Sequence, residues 1–415
     1  MMYEDELVHQ RRQNKTQSLR NPSVIAKSEF PSLSPAMVEG VNRKISAASA
    51  RSHTRRRANQ NSSFKLPSGI FGKVSLVFFV GILAWGYQTI RPPPTKICGS
   101  PGGPTITGPR IKLRDGRYLA YKEHGVPKHV AKHKIIFLHG FGSCRHDPVV
   151  DNHLSPVLPG ISKQLGIYIV SFDRPGYGES DPHPSRTLKS LTLDIEELAD
   201  QLQLGSKFYI IGVSLGGALT WSCLKYIPHR LAGVSLLTPV TNYWWPGFPA
   251  NLSTEAYSEM LPEDQWALRV AHYTPWLSYW WNTQKWFPGS AVIANNPDLL
   301  SQQDKEIVAK FDRKLDFSGY AKQQGDAESI HRDLAIAFGK WEFDPMDLEN
   351  PFPNSEVSVH LWQGDEDLLV PVKLQRYVAQ RLPWIHYHEL PGSGHMFPLR
   401  HEMFDKTLRI MLTGE

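Results

Sequence analysis

The chain has 415 residues, 41% hydrophobic and 21% charged, a globular mix that excludes wholesale disorder, a collagen repeat or a coiled coil. Its three cysteines, Cys98, Cys144 and Cys223, are too few and too widely spaced for a disulfide scaffold or a cysteine-rich zinc site. The formal charge of +6 is local. Residues 1–65 hold 12 Lys+Arg against 5 Asp+Glu, a net of +7, so the other 350 residues sum to −1, and the basic character belongs to a tail and not to the folded body.

In chain order, residues 1–67 read as a solvated basic tail, rich in Ser, Asn, Gln and Arg and without helical or strand period. No aromatic residues interleave with Arg55-Arg56-Arg57, so a membrane-flanking charge cluster fits better than an RNA-binding motif. Residues 68–90, SGIFGKVSLVFFVGILAWGYQTI, then supply a single membrane anchor. Val74 to Ile90 carries no charge, Lys73 can snorkel, and Trp85 and Tyr87 suit an interfacial belt. Too many residues precede this segment for a secretory signal peptide. Basic residues crowd its amino side, from Arg43 to Lys73, and only Arg91 and Lys96 closely follow it. The tail is therefore expected in the cytosol and the remaining chain across the membrane, with the sequon Asn251-Leu252-Ser253 facing a lumen if the chain enters the secretory route. Residues 91–109 read as a Pro/Gly linker in which Cys98 is a spectator, palmitoylation being the alternative.

From Arg110 the pattern becomes strands alternating with helices. RIKLRDG and RYLAYKEHG form a hairpin at Asp115-Gly116. KIIFLHG (134–140), GIYIVSFD (166–173), FYIIGVS (208–214) and AGVSLLTP (232–239) are near-continuous apolar runs, as strands buried on both faces should be. VSVHLWQG (357–364) and IHYHELPG (385–392) follow. In residues 191–204, Leu191, Ile195, Leu198 and Leu202 share one helical face. The expected fold is α/β: a mostly parallel eight-stranded sheet, helices on both faces, and a helical cap at 240–354 inserted between two core parts, 110–239 and 355–415. Eight tryptophans fall in that cap. Most stitch it together, and a few lining a pocket would make the pocket apolar.

The chemistry gathers at three loops. Gly212-Val213-Ser214-Leu215-Gly216 stands between a strand and a helix, the G-x-S-x-G context in which a sharp turn lifts a serine hydroxyl above the sheet. Gly212 and Gly216 let backbone and helix approach. Serine needs a base, and His395 in Pro391-Gly392-Ser393-Gly394-His395 follows the last strand, at the carboxyl edge where such sheets do their chemistry. The other histidines considered, His124, His129, His133, His146, His153 and His386, read as surface or structural residues. An acid must orient the base, and Asp365, Glu366 and Asp367 compete for that place. Oxyanion donors are expected in the amide of Leu215, which follows the serine, and in that of Phe141 in His139-Gly140-Phe141-Gly142. No cofactor or metal is implied: no Cys/His cluster has ligand spacing, and the Gly-rich loops fit neither nucleotide fingerprint.

Four landmarks in order, HGFGS, DRPGYGES, GVSLGG and the GDEDLLVP…GSGH pair, resemble the α/β-hydrolase fold family over roughly residues 110–415. The look is closest to plant membrane-anchored members. The resemblance implies that Asp367 is the acid, since it stands three residues after Gly364 and four before Pro371, and that Asp173 to Ser180 is a structural turn beside the site. Ser214 stands where epoxide hydrolases and haloalkane dehalogenases carry Asp. The expected activity is a serine hydrolase of carboxylic esters, with thioesters or amides as variants and an apolar acyl group as the partner. Ser214, His395 and Asp367 would form the triad. A ligand receptor or interaction protein on a hydrolase scaffold is the alternative.

Overall fold

A computed structural model describes residues 69–151, 158–310, 317–354 and 357–414. The expected basic tail lies outside the described residues. Ile70–Ile90 is one unbroken helix of 21 residues with most of its large apolar side chains exposed. At 1.5 Å per residue it extends about 30 Å, long and apolar enough to cross a bilayer.

The eight strands are β1 (Arg110–Lys112), β2 (Tyr118–Gly125), β3 (His133–Leu138), β4 (Ile167–Phe172), β5 (Phe208–Val213), β6 (Leu231–Leu237), β7 (Val359–Gly364) and β8 (His386–Leu390). They form one sheet in the order β1-β2-β4-β3-β5-β6-β7-β8. β1 and β2 pair antiparallel, β2 meets β4 antiparallel, and every later pairing is parallel. The β1–β2 turn closes at Gly116, whose φ of 92° suits a residue without Cβ.

Alternation along the strands separates two core layers. Ile136 and Leu138 of β3 pack with Leu191, Ile195 and Leu198 of the helix Leu188–Gln201 on one face. Ile135 and Phe137 pack on the other with Leu158 and Ile161 of Leu158–Leu165 and with Phe404 and Leu408 of His401–Thr413. The helix expected over 191–204 begins three residues earlier. Thr187 and Ser190 form a reciprocal capping box that satisfies its first amides.

Between β6 and β7 the described residues form helices and no strand: Ala250–Ser258, Pro262–Tyr273, Ser278–Thr283, Gln302–Ala309, Phe317–Ala321, a π turn at Ala327–His331 and Arg332–Phe338.

The segment expected as a linker differs from that reading. From Lys96 it is docked: the Lys96 amide donates to Gln324 O at 2.9 Å and the Cys98 amide to Gln324 Oε1 at 3.1 Å. Thr107 and Gly108 amides donate to Glu179. Gly99 and Gly102 adopt positive φ inside tight turns. Glycine and proline here build turns, which composition does not separate from a flexible spacer. Cys98 is buried, and burial, helped by the Glu179 charge, pushes its thiol up to about 11. A buried neutral thiol is poorly placed for acylation.

Candidate active site

Ser214 ends β5 and opens the helix Leu215–Tyr226. Its φ of 52° and ψ of −114° are strained for a residue with a side chain, at a cost of about 1–3 kcal/mol. Three backbone bonds hold it there: Ser214 N–H to Leu237 O, Gly217 N–H to Ser214 O and Val240 N–H to Ser214 O. The glycines are obligatory for packing. A Cβ on Gly216 would meet Leu138 O at 2.0 Å, and one on Gly212 would meet Thr220 Oγ1 at 2.1 Å.

The loop after β3 reaches the same point, since a Cβ on Gly140 would stand 3.5 Å from Ser214 Cβ. Phe141 is half-buried beside it, and Leu215 is buried in the first turn of its helix, whose leading amides have no partner within the helix.

His395 Nδ1 lies 2.8 Å from Asp367 Oδ2. Asp367 is buried and fully partnered: Oδ2 also accepts from Gln363 Nε2 at 2.9 Å, and Oδ1 accepts the amides of Leu369 and Val370. Among the described residues neither Asp365 nor Glu366 bonds to His395; Asp365 is half-buried and Glu366 exposed. Burial disfavours the imidazolium, but the Asp367 carboxylate beside it, with Asp304, outweighs this and holds the His395 pKa above its ordinary value. An ionised Asp367 fixes the proton on Nδ1 and leaves Nε2 as the acceptor. Among the described residues no hydrogen bond joins Ser214 Oγ to His395. What brings them to one edge is the parallel register, with β5 paired to β6, β6 to β7 and β7 to β8.

A model of the alpha/beta hydrolase family matches residues 135–407, about two thirds of the chain. The chain belongs to the alpha/beta hydrolase family. This alpha/beta hydrolase is 22% identical over 277 residues to the probable lysophospholipase BODYGUARD 1 of Arabidopsis thaliana, covering 64% of this chain and 55% of that protein. The chain thus spans about half the length of that relative. It is 25% identical over 254 residues to the Karrikin insensitive 2 receptor CA of Petunia hybrida, covering 60% of this chain and 79% of the receptor. The solved structure of Rv0554 from Mycobacterium tuberculosis matches with a TM-score of 0.50 at 16% identity, covering 73% of this chain and 97% of that one; this likeness concerns the fold.

Two groups escape sequence reasoning. Asp304, buried near the start of the helix Gln302–Ala309, accepts the amides of His395 at 2.9 Å and Met396 at 2.7 Å. Gly394 has no room for a Cβ against it. The second group is a buried charge cluster. Asp333 accepts from Arg174 at 2.7 Å and from Arg186 at 2.7 Å, and Arg174 also donates to the carbonyls of His139 and Gly140. The Asp173–Ser180 turn thereby grips the loop that carries Phe141. Burial opposes ionisation of Asp333, but the two guanidinium groups prevail and hold its carboxyl below the usual range.

An aromatic cleft of about 420 Å³ is lined by Tyr243, Trp244, Trp245, Phe248, Tyr257, Tyr273 and the Arg269 side chain. Burial, aided by the Asp367 charge, raises the Tyr243 phenol. A larger groove of about 560 Å³ at Gly125, Lys132 and Gly166 lies at the amino ends of β3 and β4, away from these loops. Among the described residues no group of three or more His, Cys, Asp or Glu is placed to hold a metal ion.

Proposed function

We propose that this alpha/beta hydrolase is a membrane-anchored serine esterase acting on carboxylic esters with an apolar acyl group. Ser214 Oγ attacks the acyl carbon while His395 Nε2 takes the hydroxyl proton. Asp367 keeps the imidazole in the receiving tautomer and offsets its positive charge. The amides of Leu215 and Phe141 receive the oxyanion. His395 returns the proton to the departing alcohol, and the chain is left as an acyl-enzyme. Water then attacks the acyl carbon and gives a proton to His395; the bond to Ser214 Oγ breaks, His395 returns that proton to Oγ, and the acid leaves.

The observation that carries this reading is the 2.8 Å bond between buried His395 and buried Asp367. Little besides proton transfer rewards a charged pair of this kind at the carboxyl edge of such a sheet. The aromatic cleft supports an apolar acyl chain, and the name lysophospholipase borne by the Arabidopsis relative points the same way. The Ile70–Ile90 helix would hold the enzyme in a membrane, with residues 1–67 cytosolic and the catalytic part, with its 240–354 cap, on the other side. Protease protection in sealed vesicles tests that sidedness.

A receptor reading is favoured by one observation, the similarity to the Petunia receptor over 79% of its length. Turnover separates the two. The full chain in detergent should hydrolyse p-nitrophenyl esters many times faster than its Ser214→Ala variant, with kcat/KM rising with acyl length. Equal, near-background rates in both chains would favour the receptor.

A further inference from the structure

We propose that the aromatic ridge of residues 266–287 rests in the headgroup region of the bilayer that holds the Ile70–Ile90 helix. This builds on the anchoring read above and names where that enzyme meets lipid.

Trp266, Tyr273, Trp276, Trp286 and Phe287 are each between 53% and 72% exposed, an unusual concentration of large rings in water. The rings touch one another: Trp281 stacks on Phe287 at 5.7 Å, Trp266 meets Trp281 at 6.1 Å, and Trp280 meets Trp286 at 6.1 Å. The loop beneath is fixed. Gln284 Oε1 accepts the amides of Trp286 and Phe287, and its Nε2 donates to the carbonyls of Trp281 and Phe287. These rings are therefore held outward by a hydrogen-bonded loop. Tryptophan is suited to the membrane interface, with an apolar body and one polar N–H.

Charge agrees. Between Asp264 and Asp298 the sequence holds no carboxylate, while Arg269 and Lys285 are exposed. A stretch of chain that carries rings and cations and no carboxylate of its own matches phosphate headgroups over acyl chains.

The tether chooses the surface. Five residues separate Ile90 from Lys96, six steps or at most about 20 Å of extended chain, and the Lys96 amide is fixed to Gln324 O. Gln324 lies seven residues before His331, whose ring meets Tyr279 of the helix Ser278–Thr283 at 5.1 Å. The membrane helix thus ends within a short reach of the segment on which the ridge packs. Tyr273 belongs both to the ridge and to the aromatic cleft, so a seated ridge opens the cleft toward the lipid phase. The substrate class that follows is an ester of a membrane lipid.

The full chain is reconstituted in phosphatidylcholine–phosphatidylserine vesicles carrying a diazirine-acyl phosphatidylcholine, irradiated, and its lipid adducts mapped by mass spectrometry. Adducts are expected on peptides from both 70–90 and 266–287. In a chain with Trp276→Gln, Trp286→Gln and Phe287→Gln, the cap adducts should fall several-fold, those on the helix should persist, and turnover of a short soluble ester should be unchanged. Adducts on the helix with none on the cap overturn the ridge proposal and leave the anchor standing. No adduct on the helix overturns the anchoring reading, and with none on either peptide both fall. Protein cross-links joining 266–287 of two chains, without lipid adducts there, assign the ridge to a second copy and overturn its seat on lipid.

Discussion

The loop that carries Ser214 and the loop that carries His395 are held in different ways. Ser214 is fixed from within the core: its own amide and carbonyl bond to neighbours around β6, and Gly212 and Gly216 admit the tight approach. His395 is gripped from elsewhere in the chain. Its side chain bonds to Asp367 after β7, and its amide bonds to Asp304, 91 residues earlier in the helical insertion. The proposed nucleophile is thus built by a local motif, whereas its proposed base depends on packing between the sheet and a separate layer. Damage to the insertion should therefore reach the chemistry through His395 before it reaches Ser214.

The largest effects should fall on the His395 side chain itself. Asp367→Asn is expected to lower kcat by roughly 10³–10⁴ with little change in Tm, while Asp365→Asn costs about tenfold or less. Both are measured on one ester, and a larger loss at Asp365 would move the acid. The pH profile sharpens this. In the proposed mechanism activity needs neutral His395, so it should rise with pH through the His395 pKa, which Asp367 holds up against burial. Removing that negative charge should lower the pKa and shift the acid limb of kcat/KM to lower pH, even as the rate falls. An unmoved limb would mean that another group sets it.

Next comes the buried cluster that grips the Phe141 loop. Asp333→Ala leaves the Arg174 and Arg186 charges unpaired and should cost about 3–5 kcal/mol in thermal unfolding. The sign with pH follows from the depressed Asp333 carboxyl. Its contribution is present above the ordinary carboxylate pKa and is lost as pH falls through the lower, folded value. The variant's stability should therefore depend less on pH than the parent's in the acid range, and parallel curves would count against the pairing.

Asp304→Asn should be milder. It weakens two charge-assisted bonds at His395 and Met396, worth about 1.5–3 kcal/mol each when intact, and should lower kcat more than it changes KM. An unchanged kcat would remove the insertion from the control of His395. The smallest effect concerns the docked segment. A chain starting at Ser100 loses the Lys96 and Cys98 bonds to Gln324 and should melt a few degrees below one starting at Arg91. Equal melting would restore the linker reading.

The sequence was most readable where structure depends on near neighbours. Buried strands announced themselves as apolar runs, and Ser214 as a glycine-flanked turn between strand and helix. The residues alone left Asp365, Glu366 and Asp367 in competition, and only the family resemblance pointed to Asp367. Asp304 and Asp333 were not readable, since their partners lie 91 and more than 140 residues away and no local period marks such a pair. Residues 96–108 were misjudged because glycine and proline mark a spacer and a tight turn alike. The ridge tryptophans were seen as a count, but composition gave no sign of which rings would face outward.

The most direct test is the chemistry of Ser214 itself. The full chain is treated with a fluorophosphonate, and the rate of adduct formation is followed by mass spectrometry in the parent and in His395→Ala. A serine activated by the His395–Asp367 pair predicts one adduct, on the peptide that contains Ser214, forming at least about 10³-fold more slowly when His395 is gone. An adduct on a different residue, or an equal rate in both chains, would contradict it.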